Sequence, residues 1–382
     1  MLNGFLPAEI PPEDEALRAP VRSFLERESA NFPPEVRARS WLGHDAAFSR
    51  RLATQGWIGI TLPASHGGGG RSQFARFVLL EEILAAGAPV AAHWLAERQS
   101  APMILRYGTE EQKRRIVPAI CRGEAFFCVG MSEPGSGSDL ASVTSRAEKT
   151  ARGWRLEGSK IWTTYAQSAD YMIALVRTSG AVGDRAKGLS QLLIPMSTPG
   201  VEVRPIRDVA GDEHFSGVHF DNVELDEDAL LGQEGEGWEQ VTAELAFERS
   251  GPERIYSATV LIDEWLRCVR GHGPADASDH RLIGRIAARL VTLRAMSLST
   301  TARLQEGESP VLQASIVKDL GTSFEQSMPE LIGQAMARGE EPPSDALLAV
   351  HDYISCMSPS FSLRGGTREI VRGIIARGLG LR

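Results

Sequence analysis

Residues 125–142 read AFFCVGMSEPGSGSDLAS, and the periodicity of the chain changes across this stretch. Upstream of it, apolar residues recur at helical spacing; downstream they fall in short runs rich in β-branched and aromatic residues. The stretch itself joins a strand-like apolar run to a loop of Gly, Ser, Pro and Asp. It therefore predicts the boundary between a helical domain and a β domain.

The region before this boundary, residues 1–125, predicts an N-terminal helical domain. Apolar side chains from Leu17 to Leu25 follow helical spacing, and so do those of SQFARFVLLEEILAAGAP at 72–89. Ser72 is a good N-cap for the second helix, and Gly87 is a good residue to end it. The tract SHGGGG at 65–70 is neither preceded by a strand nor followed by a P-loop lysine, so we interpret it as a surface connection.

Residues 126–235 predict an antiparallel β-barrel or sandwich, and residues 236–382 predict a C-terminal four-helix bundle. In the last region, 238–270 is expected to be one long helical segment bent near Gly251 and Pro252. The fold class is therefore α+β, with three regions in the order helical, β, helical. The expected strands of the middle region are RGWRLEGSKIWTT (152–164), ADYMIALVRT (169–178), GLSQLLIPM (188–196), VEVRPIRDV (201–209) and SGVHFDNVEL (216–225).

Composition and charge exclude several classes of function. The chain of 382 residues has a net charge of −8, which argues against nucleic acid as a main partner. No run is long and apolar enough to span a membrane, and the N-terminus lacks a basic leader, so a cytoplasmic location is expected. The four cysteines have no CxxC spacing and the eight histidines form no ligand pair, so no metal site is predicted.

Three segments carry the residue types of a cofactor site. The GSGSD loop at 135–139 offers closely spaced backbone N–H groups and hydroxyls, although a turn-rich β connection explains it as well. Trp162 lies in a predicted strand and can stack on a flat ring, although a core tryptophan is more common. Gly365 and Gly366 precede a helix that Thr367 can cap, and such a helix start binds anions or carbonyl oxygens.

Residues 244–254, ELAFERSGPER, place a carboxylate where the helix should be buried. Glu248 shares its helical face with Val241, Leu245 and Ile255. A buried carboxylate must be paired, protonated or used in chemistry. An ion pair with a nearby arginine is the simplest structural explanation, and a general base is the functional one.

These pieces together resemble the acyl-CoA dehydrogenase family, and the resemblance covers nearly the whole chain. No single segment is decisive, but all of them occur in the family's order and spacing. The segments are QGWIGITLP (55–63), RYGTEEQKRRIVPAI (106–120), CVGMSEPGSGSD (128–139), GSKIWTT (158–164), FDNVELDEDALLGQEGEGW (220–238) and GGTREIVRGIIAR (365–377).

The resemblance implies an FAD enzyme that oxidises an acyl thioester, of CoA or of a carrier protein, to the α,β-enoyl thioester. A base removes the α-proton while a hydride leaves the β-carbon for flavin N5, and electrons pass to an electron-transfer flavoprotein. The family's oligomers imply a homodimer or homotetramer. By motif match, FAD would be contacted by Val129, Met131, Ser132, Gly137, Ser138, Trp162, Thr163, Thr164, Thr367 and Glu369, and the substrate by Ser138, Arg249 and Gly366.

The resemblance also answers the question raised by Glu248. Many members carry the catalytic glutamate just before the C-terminal Gly-Thr, where this chain has Gly365. A second class carries it in a Glu-Arg pair on the helix after the β domain, which matches Glu248 and Arg249. Glu248 is therefore expected to be the base, with Glu244 in reserve. Gly365 keeps its backbone N–H and is expected to donate it to the thioester carbonyl.

Two departures from the family pattern concern FAD. The Arg-x-x-Phe-Gly element, with which a neighbouring subunit holds the FAD pyrophosphate, is missing, and Arg281 or Arg285 are the candidates to replace it. The family's Gly-Gly loop before the C-terminal motif is also missing. These departures leave three alternatives open besides a catalytic homo-oligomer: a partner subunit that completes another chain's site in a hetero-oligomer, a flavin monooxygenase on the same fold, and a simple CoA-binding module.

Overall fold

The computed structural model describes residues 4–247, 251–271 and 276–381. The N-terminal third is helical, as predicted. Its helices are α1 (Pro12–Glu15), α2 (Arg18–Ser29), α3 (Pro34–Arg39), α4 (Ala46–Thr54), α5 (Gln73–Ala86), α6 (Ala91–Leu95), α7 (Ala101–Tyr107) and α8 (Glu110–Cys121).

The predicted ends of helix α5 are confirmed. The Ser72 hydroxyl accepts a hydrogen bond from the backbone N–H of Ala75 at 2.9 Å, which is a side-chain N-cap. Gly87 follows the helix with a φ of 69°, the left-handed conformation that ends helices at low cost. Local chemistry therefore sets both limits of this helix.

The middle region forms one sheet, with eight strands among the described residues. Its order is β6-β7-β3-β2-β4-β5-β8, and β1 pairs with β4. The strands are β1 (Phe127–Gly130), β2 (Arg146–Lys149), β3 (Gly153–Thr164), β4 (Tyr171–Arg177), β5 (Leu189–Pro195), β6 (Val201–Ile206), β7 (Phe215–Asp226) and β8 (Leu230–Leu231).

The sheet is not wholly antiparallel, so that part of the prediction is wrong. Strand β1 pairs with β4 in parallel, with Phe127 opposite Tyr171 and Gly130 opposite Ala174. Strands β2 and β3 lie between them in the sequence, and this long connection allows the chain to return in the same direction. The first residues of the 125–142 stretch are thereby fixed inside the sheet.

The C-terminal region is helical. Its helices are α9 (Gly237–Phe247), α10 (Thr259–Gly271), α11 (Ala277–Gln305), α12 (Val311–Arg338), α13 (Asp345–Met357) and α14 (Arg368–Gly378). The single segment predicted over 238–270 is instead two helices, with a 3-10 turn at Pro252–Arg254 between them. Pro252 lacks a backbone N–H and cannot continue the helical hydrogen bonds, which accounts for an interruption here.

The chain divides into two compact units. The first unit comprises Met1–Gly43, Arg71–Pro89 and Leu245–Arg382, and the second comprises His44–Gly70 and Val90–Glu244. The first unit has a core of apolar side chains from α10, α11, α12 and α13, including Trp265, Phe324 and Met328. The second has a core on the sheet that includes Trp154 and Phe220. None of the helices in the described ranges is long and apolar enough to cross a bilayer.

Candidate functional site

A buried ion pair fastens the Gly-Ser loop to strand β3 in the second unit. The Lys160 ammonium lies 2.8 Å from Oε1 of Glu133, and both side chains are buried. Glu133 also accepts hydrogen bonds from the backbone N–H groups of Thr144 and Ser145 at 2.6 and 2.9 Å. The Thr144 hydroxyl donates a further bond at 2.7 Å, so both carboxylate oxygens are engaged and the position of the loop is fixed.

The protonation of this pair follows from its surroundings. Burial alone would raise the pKa of Glu133, but the Lys160 charge and the hydrogen bonds from Ser145 and Thr144 outweigh it and lower the pKa to about 2. Burial lowers the pKa of Lys160 to about 8, against the opposing pull of Glu133. Both groups are charged at neutral pH, so the loop is held by a charged pair.

The pair brings two of the predicted cofactor segments together. The Ile161 N–H donates to the backbone oxygen of Ser132 at 2.9 Å, and Lys160 Nζ lies 3.3 Å from the backbone oxygen of Met131. Met131 and Ser132 therefore lie against the strand directly beside Trp162. Residues predicted from segments some 30 positions apart thus form one surface.

Trp162 is presented on strained backbone. Its φ is 59°, a left-handed value that is uncommon for a bulky residue, and the register of β3 against β7 shifts between Lys160 and Thr163. This bulge reverses the alternation of the strand, so that Trp162 is 56% exposed while Thr163 is buried. Trp162 and Phe215 pack edge to face, with ring centroids 5.9 Å apart at 84°. The exposed part of the indole is available to a flat ligand.

Thr163 and Thr164 follow Trp162 and end strand β3. The Thr163 hydroxyl is buried and has no hydrogen-bond partner among the described residues. Thr164 is half-buried at the end of β3. A buried hydroxyl without a partner is costly, so a bound polar group that satisfied it would be stabilised.

The tip of the Gly-Ser loop is open. Gly137 and Ser138 are exposed, and a methyl group added at Gly137 would meet nothing within 4 Å. The neighbouring Asp139 is paired with Arg185 and accepts a hydrogen bond from the Ser142 hydroxyl. The base of the loop is thus tied down while its small, polar tip faces outward.

A tight turn precedes α14 in the first unit. Gly365 and Gly366 have φ values of 64° and 94°, which glycine adopts without the steric cost that other residues meet. Thr367 takes the N-cap position, but its hydroxyl makes no capping bond to the helix. The pKa of Glu369 is lowered by a hydrogen bond from the backbone N–H of Glu369 itself and, to a smaller extent, by one from the Thr367 hydroxyl. The turn leaves the positive end of α14 beside it.

A second buried charge cluster, which the sequence did not reveal, lies next to this turn. Glu325 is fully buried and pairs with Arg364 at 2.9 Å, and Glu253 and Arg254 are buried as well. The backbone oxygen of Glu253 accepts from Arg364 at 3.2 Å. One signal was present in the sequence: Glu253-Arg254 repeats the Glu-Arg pair of Glu248-Arg249 five residues later.

Glu248 and Arg249 themselves lie outside the described residues. Glu244, the reserve candidate for the base, belongs to α9 (Gly237–Phe247). In the described part of this region, Glu253 is therefore the carboxylate whose burial is established.

A groove of about 450 Å³ lies between the start of α11 and the end of α12. Three arginines line it, and none of them makes an ion pair within the described part of the chain: Arg281, Arg285 and Arg338. Among the described residues, Arg281 donates to the Ser278 hydroxyl at 3.0 Å. The charges of Arg281 and Arg338 also act on Asp276, which offsets part of the positive charge of the groove. Three arginines against this one carboxylate still suit an anionic ligand. Arg281 and Arg285 are predicted from the sequence, whereas Arg338 is not.

Each unit by itself has residue types that suit part of a flavin dinucleotide. The second unit has an exposed indole, an open loop tip and, at Thr163, a buried hydroxyl without a hydrogen-bond partner among the described residues. The arginine groove and the helix start at Gly365 offer anion-binding chemistry on the first. Within the described ranges, no group of three or more His, Cys, Asp or Glu side chains is arranged to hold a metal ion.

Comparisons of the sequence with known proteins point to one family. The family model for the acyl-CoA dehydrogenase N-terminal domain matches residues 11–124, and that for the middle domain matches 128–223. Acyl-CoA dehydrogenase IpdE1 of Mycobacterium tuberculosis is 33% identical, over 96% of this chain and 97% of the relative.

Solved structures agree in fold. The Tcur3481-Tcur3483 steroid ACAD superposes with a TM-score of 0.85 at 27% identity, covering 98% of this chain and 99% of that one. The ChsE4-ChsE5 complex of Mycobacterium tuberculosis superposes with a TM-score of 0.82 at 29% identity, covering 99% and 100%. The chain therefore belongs to the acyl-CoA dehydrogenase family, whose members are oxidoreductases acting on CH–CH groups.

Proposed function

We propose that this protein is an FAD-dependent acyl-CoA dehydrogenase that converts an acyl thioester to the 2-enoyl thioester and passes the electrons to an electron-transfer flavoprotein. The observation that carries the proposal is Trp162, an exposed aromatic residue held in a left-handed conformation beside the Ser132 loop. Backbone strain of this kind is found more often at functional sites. A stacking platform for a flat cofactor accounts for both the strain and the exposure.

The chain's own residues would hold FAD, which when bound supplies the hydride acceptor. Trp162 would pack on the ring system, and Thr163 and Thr164 would offer hydroxyls beside it. The remaining contacts are assigned by their place on the loop and on α14: Val129, Met131, Ser132, Gly137, Ser138, Thr367 and Glu369.

Gly365 would polarise the thioester. A backbone N–H directed at a developing enolate oxygen stabilises it, and the positive end of α14 acts in the same sense. Gly366, the next residue of the turn, would contact the substrate. A glycine at 365 keeps this donor while leaving the proton transfer to a carboxylate elsewhere in the chain.

Glu248 would take the α-proton, with Arg249 beside it binding the CoA end of the substrate. Glu248 falls on the apolar face of the helical wheel, a place that suits a general base. Glu253 is the competing candidate, because it is buried and its backbone bonds Arg364 next to the Gly365 turn. Glu244 is the third.

The relatives suggest a class of substrate. One similar structure is named a steroid ACAD, and other relatives carry the general name acyl-CoA dehydrogenase. We therefore place steroid side-chain and other lipid acyl thioesters first among the candidate substrates.

A half-site subunit is the second candidate function. Two similar structures are complexes of paired chains, Tcur3481-Tcur3483 and ChsE4-ChsE5. In a homo-oligomer, the groove of Arg281, Arg285 and Arg338 would hold the FAD pyrophosphate of the neighbouring copy. In a hetero-oligomer, a related chain would provide that contact, and this chain purified alone would contain little flavin.

The test is an anaerobic titration of the purified protein with straight-chain, branched, aromatic and steroid side-chain acyl-CoA thioesters, followed by flavin absorbance. Bleaching by one class supports dehydrogenation. In parallel, Glu248→Gln, Glu253→Gln and Glu244→Gln assign the base: the essential one loses bleaching while FAD stays bound. A flavin-loaded protein that no thioester reduces would contradict the proposal. Absence of flavin from the chain alone would favour the half-site subunit.

A further inference from the structure

Arg364, the residue immediately before the Gly365-Gly366 turn, is held by several independent contacts. Its Nη2 donates to Glu325 Oε2 at 2.9 Å, to Ser257 Oγ at 2.7 Å and to the backbone oxygen of Glu253 at 3.2 Å. Its guanidinium also lies over two aromatic rings, 4.3 Å from the Trp41 centroid and 4.8 Å from that of Phe361. The side chain is only 12% exposed.

The partner carboxylate is equally constrained. Glu325 is completely buried on α12 and accepts a second hydrogen bond, from the backbone N–H of Ser257 at 2.7 Å. A buried pair that further hydrogen bonds hold on both sides has few alternative geometries. The side chain of Arg364 therefore has little conformational freedom, unlike that of an exposed arginine.

Helix α12 also holds the second glycine of the turn, Gly366. Lys318, buried two helical turns before Glu325 on α12, donates to the backbone oxygen of Gly366. Residues seven positions apart on a helix share one face. Helix α12 thus holds the turn at both ends, through Arg364 before it and Gly366 within it.

The turn needs such support because its two glycines are conformationally free. Glycine enters the left-handed region readily, but it also leaves readily. An N–H that must meet an oxyanion has to be aimed before the reaction, since the benefit comes from preorganisation. A displacement of about an ångström can cost about 100-fold in rate.

We propose that Arg364 is a positioning residue for the thioester carbonyl: by its contacts with Glu325, Ser257 and the two aromatic rings, it aims the Gly365 N–H at the substrate oxygen. The inference rests on the proposed function, because it needs a thioester bound at this turn. The role proposed for Arg364 acts through the Gly365 backbone and requires no contact with the reacting carbons.

The experiment compares wild type, Arg364→Lys and Glu325→Gln in their FAD-loaded form. It uses the fastest thioester of the titration panel, labelled with ¹³C at its carbonyl, and records the carbonyl stretch of the bound thioester by isotope-edited infrared spectroscopy. The rate of flavin reduction is measured on the same samples. Arg372→Lys is the matched control, because Arg372 is exposed and pairs with Asp319 on α12 without a described contact to the turn.

We expect the carbonyl band of wild type to move to lower frequency on binding, since a hydrogen bond polarises the carbonyl. In Arg364→Lys and Glu325→Gln the band should return toward its frequency in solution, and flavin reduction should slow about tenfold or more, below the roughly 10²–10³ expected for complete loss of a donor. KM should change little. Arg372→Lys should behave as wild type.

Two outcomes overturn the inference. One is an unshifted carbonyl band in wild type. The other is a band and a rate in folded Arg364→Lys and Glu325→Gln that equal those of wild type. If neither variant folds, Ser257→Ala carries the same test, because it removes one acceptor of the guanidinium and leaves the ion pair. A wild-type protein whose flavin no thioester reduces refutes the proposed function instead.

Discussion

The Nζ atom of Lys160 lies 2.8 Å from Oε1 of Glu133, with both side chains almost completely shielded from water. The pair joins the Gly-Ser loop to the strand that presents Trp162. Glu133 is a loop residue and Lys160 a strand residue, so their contact determines how the loop meets the aromatic platform. The proposed cofactor surface therefore depends on a buried charge pair.

Breaking this pair by Lys160→Met should destabilise the protein strongly. An uncompensated buried carboxylate remains, and losses of about 3–5 kcal/mol are typical for such changes. Urea denaturation of the two proteins measures the difference. Arg204→Met is the control, because Arg204 pairs with Glu202 on the surface, where about 0–1 kcal/mol is typical. Equal losses in the two variants would contradict a structural role for the buried pair.

The same pair predicts a pH dependence of stability. The folded protein holds the pKa of Glu133 at about 2, below its usual value of 4.5. The unfolded chain therefore takes up this proton first, and the stabilisation is complete above pH 4.5 and is lost as the pH falls toward 2. Melting temperatures across this range should fall less steeply in Glu133→Gln than in wild type. Parallel curves would show that other groups control the acid transition.

The strain at Trp162 can be separated from the function of its ring. Trp162→Ala and Trp162→Gly both remove the indole, but alanine keeps the left-handed strain and glycine relieves it. We expect the glycine variant to be more stable than the alanine variant by about 1 kcal/mol. Both should bind FAD more weakly than wild type. The free energy of unfolding and the FAD Kd report the two effects. An unchanged Kd in both would remove Trp162 from the cofactor site.

Charge reversal in the arginine groove should weaken FAD binding. A charge-assisted hydrogen bond contributes about 1.5–3 kcal/mol, so Arg281→Glu or Arg285→Glu should raise the FAD Kd about tenfold or more. The wild-type affinity should also fall with added salt. Arg289→Glu, one turn further along α11, is the control, because Arg289 lines a different groove. If Arg289→Glu weakens binding as much, the effect is one of overall charge.

Features set by local chemistry could be predicted from the sequence. The Ser72 cap and the Gly87 terminus of α5 depend on neighbouring residues alone. The order of the three regions, helical, then β, then helical, could be predicted from the spacing of apolar residues. The candidate cofactor residues came from the segments that resemble the family. Lys160 lies an even number of residues from Trp154 and Leu156 along β3, so the alternation of the strand indicates that its side chain is buried like theirs.

Features that depend on distant parts of the chain could not be predicted in this way. Glu133 meets Lys160 across 27 residues, and Glu325 meets Arg364 across 39. The parallel pairing of β1 with β4 depends on the path of the intervening strands. The exposure of Trp162 depends on a bulge that is defined only by pairing with β7. Each of these needs the fold before it can be seen.

We propose that this chain removes one hydrogen from each of two adjacent carbons of an acyl thioester. A single turnover of the FAD-loaded protein, without oxygen, followed by mass spectrometry of the thioester, tests this reaction. We expect a product two mass units lighter, formed at the rate of flavin reduction and slowed when the α-carbon carries deuterium. A thioester that leaves unchanged, or a product that appears only with oxygen and is heavier by one oxygen atom, would contradict it.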